Sequence, residues 1–177
     1  MRNIPNFLAI PVTMACTTVY AVDYLNVEQA QQLLFAGASA INATITLSEQ
    51  QKDAIKSASG VRQRSDKQEV WRMEKDGVMQ GWLFIDDVIG KHEFISYALA
   101  IDLNGQVLGI EILSYRETHG GQVRLPKWRE NFVGKTRNDT FKLNRDIPNI
   151  SGATLSCRNV TDGVKRLLVL HHLVLAS

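Results

Sequence analysis

The sequence has little of several features that would assign a protein to a class. Only two of its 177 residues are cysteines, Cys16 and Cys157, so no disulfide framework holds the fold. The formal net charge is +2, and the basic residues are scattered and match no nucleic-acid-binding motif, which excludes a nucleic-acid surface. No apolar run reaches the ~20 residues of a membrane-spanning helix. A hydrophobic core must therefore stabilise the chain, and an apolar content of 45% suffices for one.

Patterns typical of metal sites and hydrolases are also missing. No spacing of histidines and cysteines suits zinc, and there is no Gly-x-Ser-x-Gly motif. His92 and Glu93 are adjacent, so on a strand they would point to opposite faces. The two adjacent histidines His171 and His172 would diverge by about 100° on a helix. The sequence thus predicts no metal ligand and no catalytic residue, although a triad assembled from distant residues stays open as an alternative.

The first 21 residues have the features of a signal peptide. Arg2 provides the positive charge, residues 7–16 an apolar core, and Val19-Tyr20-Ala21 a small-residue cleavage site. We therefore expect export to the periplasm and a mature chain of residues 22–177 that forms a single domain. A buried N-terminal strand of a cytosolic protein is the alternative, and lipidation at Cys16 is left open.

Local patterns predict helices before and after a set of β-hairpins. Asn26 starts a helix to Phe35, and the capping box at Ser48 starts another to about Ser57. Residues 38–47 predict a short strand, and residues 61–67 predict a solvated loop. Two Asx-Gly pairs each predict a two-residue hairpin turn between strands, and these are Asp76-Gly77 and Asn104-Gly105. The expected fold is α+β, with an antiparallel sheet of hairpins and helices before and after it.

A third helix is predicted to follow the stretch 151–156 and to run to the C-terminus, where apolar residues recur at helical spacing. The stretch Ser151-Gly152-Ala153-Thr154-Leu155-Ser156 lies where a tight turn becomes the start of this helix. Its small residues permit close backbone approach, and Thr154 or Ser156 can cap the free amides. A helix N-terminus of this kind favours a phosphate group. The same pattern is also that of an ordinary capped helix.

Two further features of this helix have alternative interpretations. Cys157 lies in the first turn, where a thiolate would be favoured, but we expect a small buried apolar side chain there. Residues 167–175 are apolar nearly all round, which predicts core, with a partner interface as the second interpretation.

The motif Ser-Gly-Ala-Thr, followed by Leu-Ser and a helix, resembles the flavinylation motif of the FMN-binding domain family. That family includes flavin-carrying subunits of the Rnf and sodium-pumping NADH:quinone oxidoreductase complexes and small periplasmic flavoproteins. The resemblance is strongest over residues 88–177, with motifs in the family's order at Val88–Glu93, Asn104-Gly105, Tyr115–Gly121, Trp128 and Phe132–Thr136. It implies an FMN joined through its phosphate to Thr154 by a flavin transferase. The residues expected to seat the phosphate are Ser151, Gly152, Ala153, Leu155 and Ser156.

A second segment with this resemblance is Glu117-Thr118-His119-Gly120-Gly121, directly after the last predicted long strand. Composition alone predicts a flexible loop whose glycines permit close contact with a flat ligand. The equivalent loop of the family borders the flavin, so the resemblance implies four flavin-pocket residues, Glu117, Thr118, Gly120 and Gly121. His119 is assigned no role.

One position departs from the family pattern. The family usually has an Asp three residues before the serine of the motif, and this chain has Pro148 there. If that carboxylate assists the transferase, attachment is slower or absent here, and FMN bound without a covalent link is the alternative.

The function expected from the resemblance is that of a periplasmic electron carrier bearing FMN. Its partners would be a flavin transferase and a membrane or periplasmic redox partner, and membrane association is left open. Whether it has substrate turnover of its own is not determined. A flavin-binding or sensory module and an assembly domain of a membrane redox complex are the alternatives.

Overall fold

The structure is a computed structural model that describes residues 22–176. The predicted signal peptide, with its cleavage site and Cys16, lies outside the described residues. The described chain is a single α+β domain, in which a seven-stranded antiparallel sheet carries helices on both faces. The predicted fold class is therefore confirmed.

The sheet is a meander of four long strands with short strands at its edges. The long strands are β4 (Lys67–Lys75), β5 (Val78–Ile89), β6 (Phe94–Asp102) and β7 (Val107–Tyr115), and the short ones are β1 (Val22–Asp23), β2 (Ser39–Asn42) and β3 (Ile45–Thr46). The order across the sheet is β1-β7-β6-β5-β4-β2, and β3 also pairs with β4. The predicted strand within residues 38–47 is thus present as two short strands, β2 and β3.

The first predicted hairpin turn is confirmed, and the second is longer than predicted. Asp76 and Gly77 have φ values of 52° and 76°, and the flanking residues of β4 and β5 pair directly. Between β6 and β7 the connection includes residues 103–106. The Asp102 carboxylate accepts the backbone N–H groups of Asn104 and Gln106, at 2.9 and 2.8 Å. This acidic side chain stabilises a longer turn than Asn-Gly alone predicts.

Within residues 22–176, four α-helices accompany the sheet: α1 (Val27–Leu34), α2 (Glu49–Ser59), α3 (Pro126–Arg129) and α4 (Thr154–Leu170). The predicted helix cap at Asn26 and the predicted capping box at Ser48 are both confirmed, and Asn26 forms a capping box as well. The predicted cap of α4 is wrong. Its N-cap residue is Ala153, and no side chain caps the helix, because Thr154 and Ser156 already lie inside it.

The helices cover opposite faces of the sheet. Helix α1 packs on β6 and β7, while α4 packs on β5 and β6 and also contacts α2. Strand β6 is buried on both faces, with small Ala98 and Ala100 in the core cluster that contains α1. Its larger residues belong to the cluster on the α4 side, and these are Ile95, Tyr97, Leu99 and Ile101. Complete burial of each such large apolar side chain contributes about 1.5–3 kcal/mol, so α4 is fixed firmly to the sheet.

The core predicted at residues 167–175 is confirmed only for its first part. Residues 167–171 are buried, whereas His172 and Leu173, in the π-helical turn His171–Leu175, are exposed. Cys157 is completely buried, and burial raises the pKa of its thiol, so it is an apolar filler. The predicted solvated loop at 61–67 is wrong for Gln63, which is buried and bonded to Arg166. A buried guanidinium requires polar partners, and this one also pairs with Asp86 at 2.6 Å.

Candidate functional site

Three segments that are distant in sequence line one cleft of about 470 Å³, which we call the motif cleft. They are the β5–β6 connection, the loop after β7 and the start of α4. The lining residues are Lys91, His92, Glu117, Thr118, His119 and Gly152 to Ser156. This volume lies within the ~300–1,000 Å³ of small-molecule sites. A larger cleft of about 610 Å³ lies along residues 61–69, β5 and α4, but it contains none of the predicted site residues.

Thr154 is the first residue of α4, and its side chain is exposed. Its Oγ1 accepts a hydrogen bond from Nδ2 of Asn149 at 3.1 Å. The residue lines the motif cleft on one side and, on the other, a second cleft of about 380 Å³. Gly152 has a φ of 79°, in the left-handed region, and turns the chain into the helix. The hydroxyl of Thr154 is therefore accessible and held by a neighbour.

The start of α4 is suited to an anion. The helix has 17 residues, and no side chain caps it or places a negative charge in its first turn. Its first backbone N–H groups and its macrodipole therefore favour negative charge beside Thr154.

Gly120 brings the loop after β7 into direct contact with this helix start. Its φ is 87°, and a Cβ added there would lie 2.2 Å from Cβ of Ala153 and 2.7 Å from the Tyr115 hydroxyl. That hydroxyl donates to the carbonyl of His119 and lies 3.2 Å from Oγ of Ser156. Burial raises the pKa of Tyr115, which keeps the phenol protonated as a donor. Only glycine allows this close packing.

Glu117 connects two walls of the motif cleft, the loop after β7 and the β5–β6 connection. Its Oε1 accepts the backbone N–H groups of His92 and Glu93, at 2.6 and 3.0 Å. Burial by itself would raise the pKa of this carboxyl, but the N–H groups of the β5–β6 connection hold its pKa below the usual value. A Cβ on Gly90 would lie 2.5 Å from Oε1. The carboxylate therefore positions the connection that carries Lys91 and His92.

The predicted site residues are largely, but not completely, brought together. Seven of the ten line the motif cleft. Of the other three, Ser151 lies in the turn before α4, Gly120 is a buried residue of the loop after β7, and Gly121 begins a short 3₁₀ helix. Sequence reasoning gave no role to five residues at or beside the cleft, and these are Lys91, His92, Tyr115, His119 and Asn149. The family-like segments Val88–Glu93 and Tyr115–Gly121 gave a signal for all of them except Asn149.

The structure also shows which residue before the motif contacts Thr154. Asn149 makes that contact, and its Oδ1 is buried without a hydrogen-bond partner among the described residues. Pro148 uses its backbone carbonyl to accept the indole N–H of Trp128 at 2.8 Å. The Asp146 carboxylate accepts the backbone N–H groups of Phe141 and Lys142. Asp146 thus holds the preceding loop.

Metal sites and membrane spans are both absent from the described chain. Over residues 22–176, no group of three or more His, Cys, Asp or Glu side chains is arranged to hold a metal ion. In the same range, no helix combines the length and apolar character needed to cross a bilayer.

Comparison with known proteins identifies similar sequences and folds. Residues 90–169 match the FMN-binding domain, and this range includes the loop at 117–121 and the motif at 151–156. The fold is similar to that of NqrC from Shewanella oneidensis, with 20% identity and a TM-score of 0.54 over 84% of this chain and 77% of that chain. It is also similar to a subunit of the Na⁺-translocating NADH-quinone reductase from Parabacteroides distasonis, with 16% identity, a TM-score of 0.57 and 86% coverage of both chains. No curated protein sequence matches the chain.

Proposed function

We propose that the chain is an electron-transfer flavoprotein that carries FMN on Thr154, and the match of residues 90–169 to the FMN-binding domain supports FMN as its cofactor. The observation that carries the proposal is the position of this hydroxyl. It is exposed at the first residue of an uncapped 17-residue helix and opens into a cleft of ligand size. A phosphate on Thr154 would lie at the positive end of the helix, where it is most favoured.

The residues of the motif cleft fit such a group. Backbone amides at the start of α4 are available to a phosphate, and Lys91 supplies a positive charge on the facing wall. Glu117 and Gly120 fix the two walls without placing bulk in the cleft. The isoalloxazine ring of FMN supplies the redox chemistry when bound, and the protein supplies attachment and orientation.

Attachment would convert the Thr154 hydroxyl into a phosphoester. The hydroxyl loses its proton, Oγ1 bonds to the phosphorus of the flavin nucleotide, and the bond from phosphorus to the leaving group breaks. Direct condensation with loss of water is unfavourable in water, so we assign the donor to the class of flavin nucleotide anhydrides, presented by a flavin transferase. The leaving phosphate accepts the electron pair and the proton, and no oxidation or reduction takes place. Asn149 would position Oγ1, because its amide donates to that oxygen.

Mass spectrometry after co-expression with a flavin transferase tests the covalent claim. The wild-type chain should gain the mass of one FMN less one water, and its yellow colour should stay on the polypeptide after denaturation. Thr154→Val keeps the branched shape without the hydroxyl and should prevent attachment, whereas Thr154→Ser should be modified more slowly. A wild-type chain that loses all flavin on unfolding, despite active transferase, would contradict the phosphoester.

The proposal includes export of a mature domain comprising residues 22–177. A covalent link has a clear advantage in the periplasm, where free FMN is scarce and a dissociated cofactor would be lost. The redox partner would be a membrane or periplasmic protein, and the similarity in fold to a subunit of a Na⁺-translocating NADH-quinone reductase supports a membrane redox complex. N-terminal sequencing of the native protein should find Val22 first, and an intact Met1 in the cytosol would contradict export.

The departure at Pro148 favours a second candidate, a flavin-binding or sensory module that holds FMN without a covalent link. A visible absorption spectrum before and after denaturation distinguishes the two. Flavin absorbance that is lost from the polypeptide indicates the non-covalent module. A purified chain with no flavin at all, after co-expression, indicates a domain that serves only for assembly.

A further inference from the structure

The second cleft beside Thr154 has a chemistry different from that of the motif cleft. We call it the basic cleft. It has a volume of about 380 Å³ and lies between the loop before the motif and the exposed side of α4. Its lining includes two basic side chains, Lys142 and Arg158, together with Asn149 and Thr154. The hydroxyl of Thr154 therefore borders a positively charged cleft whose basic residues have no role in the proposed function.

The two cations come from different elements. Arg158 follows Thr154 by four residues on α4, and side chains at this spacing are neighbours on one helix face. Lys142 lies on a loop that is fixed because Asp146 accepts its backbone N–H at 2.6 Å. Across residues 22–176, neither basic side chain takes part in an ion pair. Both charges thus remain available to a ligand.

One acidic residue shares the basic cleft and reduces its charge. Burial raises the pKa of the Asp162 carboxyl, while nearby Lys165 and Arg158 act to lower it. A single carboxylate cannot neutralise both Lys142 and Arg158. The cleft therefore keeps a net positive charge beside the hydroxyl of Thr154.

Asn149, which also lines the basic cleft, carries an unpartnered polar atom. Oδ1 of Asn149 is buried and has no hydrogen-bond partner among the described residues. An acceptor buried without a donor is costly, so a donor group brought beside Asn149 would be favourable. A flavin nucleotide offers phosphate oxygens to the cations and ribityl hydroxyls as donors.

We propose that Lys142 and Arg158 bind the phosphate of the flavin nucleotide from the basic cleft and thereby make the chain select FMN over riboflavin, which lacks the phosphate. This inference rests on the proposed function for the class of ligand, but it does not depend on the covalent link. The two side chains act as specificity residues. They neutralise the phosphate next to Thr154 both before and after attachment.

The test uses the full chain with Thr154→Val, in which attachment is prevented, and measures its affinities for FMN and for riboflavin by quenching of flavin fluorescence. Lys142→Gln and Arg158→Gln should each reduce the preference for FMN by about tenfold, the loss typical of one hydrogen bond to a charged group. Riboflavin affinity should not change. Arg145→Gln is the matched control, because it removes one positive charge from the same loop without lining either cleft.

A preference for FMN that is the same in both variants as in the control would overturn the inference. If free flavins bind too weakly for this measurement, the rate of covalent flavin attachment is measured instead, in chains that keep Thr154. That rate should then fall about tenfold in each variant and stay unchanged in the control. Failure of the wild-type chain to become covalently modified, with the FMN preference intact, would contradict the phosphoester and leave the basic cleft supported.

Discussion

Replacing Gly120 by alanine tests whether the contact between the loop after β7 and the start of α4 holds the site together. The residue has a φ of 87°, which disfavours any side chain. A Cβ there would also lie 2.2 Å from Cβ of Ala153 and 2.7 Å from the Tyr115 hydroxyl. Ala153 is the N-cap residue of α4, so a shift that relieves the overlap must move the helix start or the loop.

The expected cost has two parts, and a second glycine separates them. Gly60 has a φ of 76° with no atom near the position of an added Cβ, so Gly60→Ala reports the backbone cost alone. That backbone cost is about 1 kcal/mol. An alanine in the left-handed region destabilises the folded state by about 1–2 kcal/mol, and the lower conformational entropy of the unfolded chain offsets about 0.4–1 kcal/mol of this. Overpacking against Ala153 and Tyr115 adds about 1–3 kcal/mol. We therefore expect Gly120→Ala to destabilise the domain by about 2–4 kcal/mol, a large part of the ~5–15 kcal/mol of a typical domain.

Urea unfolding of the two variants and the wild type, followed by tryptophan fluorescence, measures both costs. The same proteins should show slower flavin attachment for Gly120→Ala than for Gly60→Ala, since only the first displaces the start of α4. A Gly120→Ala variant that is no less stable than Gly60→Ala would refute the close packing of loop and helix.

Three further predictions concern the cleft wall, the core and the start of the motif. Glu117→Gln should cost about 1 kcal/mol at neutral pH, because the carboxylate accepts backbone N–H groups but lies close to solvent. The pKa of Glu117 is lowered in the folded chain, so its contribution is present above about pH 4 and is lost as the pH falls through the folded pKa. Urea unfolding should therefore show a weaker acid dependence in the variant, and an unchanged dependence would argue against this role. Arg166→Met should destabilise by about 3–5 kcal/mol, because Asp86 stays buried without its cation. Partial recovery in the double variant with Asp86→Asn would identify the ion pair as the cause, and a single variant as stable as wild type would exclude it. The family resemblance predicts faster flavin attachment for Pro148→Asp. The geometry instead predicts that Asn149→Asp changes the attachment rate more than Pro148→Asp does, because the side chain of Asn149, and not that of Pro148, contacts Thr154. Attachment rates by mass spectrometry decide between these two positions.

Features that depend on a few adjacent residues were predictable from the sequence. The turn at Asp76-Gly77 needs positive φ at two successive positions, and this pair adopts it readily. The capping boxes at Asn26 and Ser48 each join residues three apart. The turn at Asn104-Gly105 was located correctly, but its length depends on the side chain of Asp102, two residues before it.

The predictions that failed required knowledge of distant neighbours. Gln63 was assigned to a solvated loop, yet it is buried because Arg166, on α4, requires a polar partner. Thr154 was expected to cap α4, but the helix includes it, and its hydroxyl contacts Asn149 instead. The resemblance selected two segments that line one cleft, without giving the position of each residue within them.

The sequence by itself determined the places of the hairpins, the starts of α1 and α2 and the motif that contains Thr154, because each depends on interactions within a few residues of the chain. Only the tertiary structure decided that Thr154 separates two clefts. The motif cleft forms because the pairing of β5, β6 and β7 brings Lys91 and Glu117 to one end of the sheet. Close packing at Gly120 then places α4 against that end. Such contacts depend on strand register and on backbone approach across tens of residues, and no local pattern encodes them.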